Sequence, residues 1–167
     1  HVTDKYAFLT DNVTRGYYEY VHKGDSYVQS NINGAMGVTQ LARLEKMNAL
    51  RREIATFYLR ELSGIENLDF LQVTEGADTN WHLFGILVPA EKKYWIMDAL
   101  RAEGVLSNVH YTPLHRNKYF KQYGTDADFP GSMEFFNRLL RIPIYPSLTH
   151  HEREQVVEAV RKVFAHL

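Results

Sequence analysis

From Val28 onward the apolar residues fall mostly three and four apart: Val28, Ile32, Ala35, Met36, Leu41, Leu44, Met47, Leu50, Ile54, Phe57, Tyr58 and Leu62. Such a stripe predicts one long helix over residues 28–63, closed by Gly64 as its cap. At 1.5 Å per residue it would run roughly 50 Å, which predicts an element bridging two domains or two subunits. Gly34 and Gly37 each cost about 1 kcal/mol relative to alanine inside a helix, so a close neighbour or a kink is expected there. The preceding residues 1–27 have no helical period. Tyr17, Tyr18, Tyr20 and Val21 are β-prone, with Gly16 and Gly24 on either side. They predict an extended arm or edge strand, or a set of hydroxyls lining a pocket.

After Leu68 the pattern changes. Leu68, Phe70 and Leu71 predict a short strand, and Thr74–Asn80 a polar turn. Trp81–Val88 predicts a strand stopped by Pro89, with His82 packed in the core. Tyr94, Met97 and Leu100 lie at helical spacing over residues 90–103, with Gly104 as the cap, and Val105–Tyr111 returns to strand. A helix is expected over Ser132–Leu140, carrying Phe135, Phe136, Leu139 and Leu140, followed by an extended connector over Ile142–Pro146. Thr149 with Glu152 three residues on is a capping box, opening a last helix with Val156, Val157, Val160, Val163 and Phe164 on its core face. This order predicts an α/β sandwich with helices on one face of the sheet, behind a long helix.

Composition narrows the function. No apolar run reaches the roughly 18 residues a membrane span needs. A net charge of −1 gives no electrostatic case for a nucleic-acid polymer or an anionic membrane. The chain has no cysteine, which excludes disulfides and thiolate metal sites. It opens on His1 without the charged and then apolar pattern of a leader, which leaves a tag remnant or part of a longer polypeptide as the expected readings.

Candidate chemistry gathers at Val109-His110-Tyr111-Thr112-Pro113-Leu114-His115, where two imidazoles and a phenol surround a proline-stiffened bend. These residues suit hydrogen bonding to a polar ligand, acid–base work, or a buried polar cluster satisfied by backbone. A zinc site would need further ligands that the local sequence does not offer, and no metal is expected. His150 and His151 are neighbours on a helical turn and point apart, as solvated residues do. There is no nucleophile elbow and no glycine-rich phosphate loop.

Several stretches together resemble the DegT/DnrJ/EryC1/StrS family of sugar aminotransferases. Gly24–Leu44 is similar to the stretch that opens that family's long helix. Trp81–Phe84, His110–His115 and Leu139–Thr149 resemble its C-terminal blocks, in the same order. In detail the resemblance is to the branch acting on dTDP-4-oxo-6-deoxyhexoses, of the dTDP-4-amino-4,6-dideoxygalactose transaminase kind.

The resemblance implies the C-terminal small domain of the aspartate-aminotransferase (fold type I) architecture: a small, mostly antiparallel sheet with helices on one face and a long N-terminal linking helix. It implies an arm left from the large domain over 1–27, an interdomain helix over 28–64, and a small α/β domain over 65–167. It further implies a cytoplasmic homodimer that uses pyridoxal 5′-phosphate, moves an amino group from glutamate to a nucleotide-linked keto sugar, and serves lipopolysaccharide or polysaccharide biosynthesis. The cofactor would supply the electron-sink chemistry. Its Schiff-base lysine would lie upstream, so this chain would hold no catalytic residue and be inactive alone. Ser26 stands where many members have an asparagine that reaches the cofactor phosphate of the neighbouring subunit, and a hydroxyl donates over a shorter reach. Val28 stands where many have arginine, so any anionic contact made there is lost. His110, Tyr111 and His115 fall in the block bordering the sugar-nucleotide pocket. A dehydratase of the same family, with histidine for the lysine, and a non-catalytic oligomerisation or binding module remain as alternatives.

Overall fold

The computed structural model describes residues 28–167. The tyrosine cluster at 17–20 and Ser26 lie outside the described residues. The chain divides into two units, one ending at Ala42 and the other running from Arg43 to Leu167. Helix α1, Asn31–Glu61, begins in the first and ends in the second.

Helix α1 starts three residues later than the apolar stripe suggests, because Ser30 caps it. The Asn33 amide donates to Ser30 Oγ at 3.2 Å, and the Gly34 amide closes the first turn on the Ser30 carbonyl. It is continuous through Gly34 and Gly37, and no described atom lies within 4 Å of where a Cβ would stand at either. The expected close neighbour is therefore absent among the described residues, and so is a break. The stripe is continuous in sequence but not in burial. Ile32 is 74% exposed, and Met36 and Leu41 are also open, whereas Ile54, Ala55, Tyr58 and the following Leu62 are sealed. Gly64, at φ 78°, ends the run as expected.

In the second unit, β1 (Asp69–Phe70), β2 (Phe84–Leu87) and β3 (Leu139–Ile142) form an antiparallel sheet in the order β1-β2-β3. Helices α2 (Lys93–Ala102), α3 (Pro130–Arg138) and α4 (His150–Phe164) complete the unit. Phe84 and Ile86 face Ile142 and Leu140 across the sheet, and all four are buried with Tyr58, Ile96, Leu100 and Val160. Burying each such side chain contributes about 1.5–3 kcal/mol. The α4 expectation holds in full: Thr149 and Glu152 make the reciprocal cap, and Val156, Val157, Val160, Val163 and Phe164 are all buried.

Charged and polar ties join α1 to α4 and to the segment before it. Arg153 donates to Glu53 at 2.6 Å and to the Leu148 carbonyl, while Arg161 reaches both the carbonyl and the carboxylate of Glu61. The Tyr58 hydroxyl donates to the Pro143 carbonyl at 2.9 Å, and burial pushes its ionisation upward.

Four expectations are corrected. Trp81 and His82 precede the strand instead of opening it. Thr79 Oγ1 and Asn80 Oδ1 accept their amides, a local turn that competes with sheet pairing, and leaves His82 exposed. On α2, Leu100 is buried and Met97 packs against the core, but Lys93 and Ile96 fill the remaining buried positions and Tyr94 is open. The helix expected to reach Leu140 stops at Arg138, because Leu139–Ile142 pairs with β2. Of the strand expected over 105–111, a single bridge between Asn108 and Arg141 is formed. No described helix is long and apolar enough to cross a membrane.

Candidate functional site

The bend is built by competing local demands. Asn108 pairs its backbone with Arg141 on the free side of β3, and its side chain accepts the Val109 amide at 2.8 Å. The chain turns at His110–Tyr111, joined by a cis peptide, and Pro113 leads into a short 3-10 turn over Leu114–Arg116. The three predicted residues are thereby divided into two settings.

His110 and Tyr111 form the outer setting. Their rings stand 3.8 Å apart between centroids at 31°, and Tyr111 is 73% exposed. His110 is half-buried, with Nδ1 3.2 Å from the Val109 carbonyl. Both present hydrogen-bonding groups, and the described contacts of the His110 ring are to Tyr111 and the Val109 carbonyl.

His115 turns inward and is only 8% exposed. Its ring stacks on Phe129 at 4.8 Å, and Nε2 lies 2.9 Å from Asp126 Oδ1. Arg116 grips the same carboxylate with Nε and Nη2. These two partners, Arg116 first and then His115, hold the Asp126 carboxyl down at about 2; the same contact raises Arg116. The Asp126–Asp128 turn is itself fixed by a reciprocal cap between Thr125 and Asp128. With Nε2–H given to Asp126, the other ring nitrogen of His115 is left to accept a proton or hydrogen bond.

His115 sits between two open clefts. One, of about 700 Å³, is lined by Arg116, Lys121, Thr125 and Asp126. The other, of about 500 Å³, is lined by Leu114, Phe120, Tyr123, Phe129 and Ser132. A third cleft of about 610 Å³, between Glu103 and α4, contains none of the predicted residues. No three His, Asp or Glu side chains converge as metal ligands among the described residues. Asp126 and Arg116 were not legible as site residues. The only local signal was the Thr125-x-x-Asp128 spacing of a cap, which marks the turn and not its partner.

Two of the described lysines are already engaged within the fold. Lys93 is 1% exposed, gives its ammonium to the Phe136 carbonyl, and lies over the Phe136 ring; burial lowers its pKa. Lys162 pairs with Glu103 at 2.6 Å.

Comparison with known proteins places this geometry. A model of the DegT/DnrJ/EryC1/StrS aminotransferase family matches residues 7–161. The spore coat polysaccharide biosynthesis protein SpsC of Bacillus subtilis is 33% identical over 154 residues, covering 88% of this chain and 40% of SpsC. The solved structure of S. venezuelae DesV in complex with a ketimine intermediate is 25% identical with a TM-score of 0.84, over 92% of this chain and 42% of DesV. The aminotransferase TlmJ from Streptoalloteichus hindustanus is 25% identical with a TM-score of 0.79, over 89% and 40%. The chain thus spans about two fifths of the length of these proteins.

Proposed function

Because the chain belongs to the DegT/DnrJ/EryC1/StrS aminotransferase family, we propose that it is the C-terminal part of a pyridoxal-phosphate-dependent sugar aminotransferase. The whole enzyme transfers an amino group from glutamate to a nucleotide-linked keto sugar, a dTDP-4-oxo-6-deoxyhexose of the dTDP-4-amino-4,6-dideoxygalactose pathway type. One observation carries this reading: the family match runs over residues 7–161, while the chain spans only about two fifths of the relatives it matches. The rest of those relatives' length is room for a cofactor domain. The division into an arm over 1–27, an interdomain helix over 28–64 and a small domain over 65–167 belongs to the same proposal, as does a homodimer.

In this reading the chain's own residues bind and orient. His110 and Tyr111 offer donors and acceptors at the rim of the sugar-nucleotide pocket, where one exposed phenol and one half-buried imidazole suit hydroxyl or phosphate oxygens. His115 forms a wall of that pocket, its ring orientation fixed by Asp126. The cofactor-phosphate role that the family position of Ser26 implies belongs to the same proposal.

The test separates whole from part. The enzyme with its upstream domain, given glutamate and dTDP-4-oxo-6-deoxyhexose, forms 2-oxoglutarate and an amino sugar by mass spectrometry. The 167-residue chain alone, incubated with pyridoxal phosphate and desalted, retains none by absorbance. A borohydride-trapped adduct at one specific lysine of this chain would sink the division of labour.

A further inference from the structure

Arg141 stands in β3 opposite Gly85 of β2, and on its other side both its backbone groups are hydrogen-bonded to Asn108. Alternation along β3 sends Leu140 and Ile142 into the core and therefore puts Arg141 on the other face. Gly85, its cross-strand partner, adds no side chain to that face. The segment paired to Arg141 is the one that continues into His110 and Tyr111.

Among the other described arginines, Arg43, Arg51 and Arg101 also form no ion pair with a described residue, but none of them has a side-chain nitrogen sealed from solvent without a partner, and the remaining six are paired. Arg52, Arg60, Arg116, Arg138, Arg153 and Arg161 each pair with a carboxylate. Arg141 is half-buried, forms no ion pair among the described residues, and has its Nε shut away from solvent with no hydrogen-bond partner. Burial lowers its pKa, with no anion to offset the lost hydration. A guanidinium carries five N–H donors in a rigid fork, and leaving one desolvated and unpaired is costly. A ligand oxyanion is the group that such a fork takes best.

We propose that Arg141 is the anion-docking residue of the site bordered by His110 and Tyr111, holding a pair of carboxylate or diphosphate oxygens. Only the source of that anion rests on the aminotransferase reading: a carboxylate of the amino donor, or the diphosphate of the sugar nucleotide.

The test uses the enzyme with its upstream domain and two probes, pyrophosphate and glutarate, titrated by calorimetry. The wild type is expected to bind one of them. Arg141→Gln should weaken that binding roughly tenfold or more, with Arg141→Lys recovering part of the loss. Loss of the pyrophosphate response assigns Arg141 to a diphosphate, and loss of the glutarate response to a donor carboxylate. Binding that survives Arg141→Gln, or no binding of either probe to the wild type, overturns the proposal. Unfolding of both variants, followed by circular dichroism, overturns it equally by making Arg141 a structural residue. If anion binding depends on Arg141 but no amino sugar forms from glutamate and the keto sugar, the aminotransferase reading falls and the anion site stands.

Discussion

His110 and His115 are five residues apart on one bend, yet they have opposite surroundings. His115 is buried, stacked on Phe129 and tied to a carboxylate that Arg116 also holds. His110 leans on an exposed tyrosine and a backbone carbonyl. The difference teaches that a histidine's value to a site depends on what fixes its ring. The inner one is pre-oriented by ionic partners at the expense of reach, and the outer one keeps reach without a partner to fix it.

Substitution should separate the two most clearly. His115→Ala removes a buried ring and leaves Asp126 with one partner fewer, so a loss of about 1–3 kcal/mol in unfolding free energy is expected by denaturant titration. His110→Ala should cost less than about 1 kcal/mol in the same titration. Equal losses would erase the distinction between the two settings.

Acid comes next in size. The Asp126 carboxyl sits near 2, below the 3.8 of a free aspartate. A depressed folded-state value means stability that is present above the unfolded pKa and is lost as pH falls through about 4 towards 2. Melting temperatures between pH 5 and 2 should therefore fall less steeply in Asp126→Asn than in the wild type. His110→Ala should follow the wild-type slope, and an unchanged slope in Asp126→Asn would remove the ionic account of His115.

The smallest expected effect lies at the outer pair. Tyr111→Phe deletes one exposed hydroxyl, so stability should stay within about 0.5 kcal/mol. The KM for the sugar nucleotide in the whole enzyme should rise by severalfold, a change that a purely structural tyrosine would not produce.

Local chemistry was legible wherever a few neighbouring residues decide the outcome. Thr149 and Glu152 announce their cap, Gly64 its left-handed turn, and the α4 valines their face. Long-range pairing was not. Leu139 and Leu140 fit a helical stripe as well as a strand, and only β2, some fifty residues earlier, decides between them. The bend was identifiable by its residue types, but its inward half was not, because Asp126 is eleven positions beyond His115 and joined through a separate turn. Arg141 falls between the helix expected to Leu140 and the connector expected from Ile142, and nothing in the sequence singles it out. Its lack of a partner becomes visible only when the neighbours are in place.

The ties from Arg153 to Glu53 and from Arg161 to Glu61 each span 100 residues. Beside them, α4 supplies six buried apolar side chains to the same core. This sets a timetable for synthesis. The second half of α1, with Ile54, Tyr58 and Leu62, emerges about 100 residues before the α4 positions tied to it. Contacts so distant in sequence close slowly, since the loop entropy is lost before the contacts form. A ribosome that stalls before α4 would hold out a sheet and a half-clad helix, a form suited to chaperones and prone to stick to its own kind.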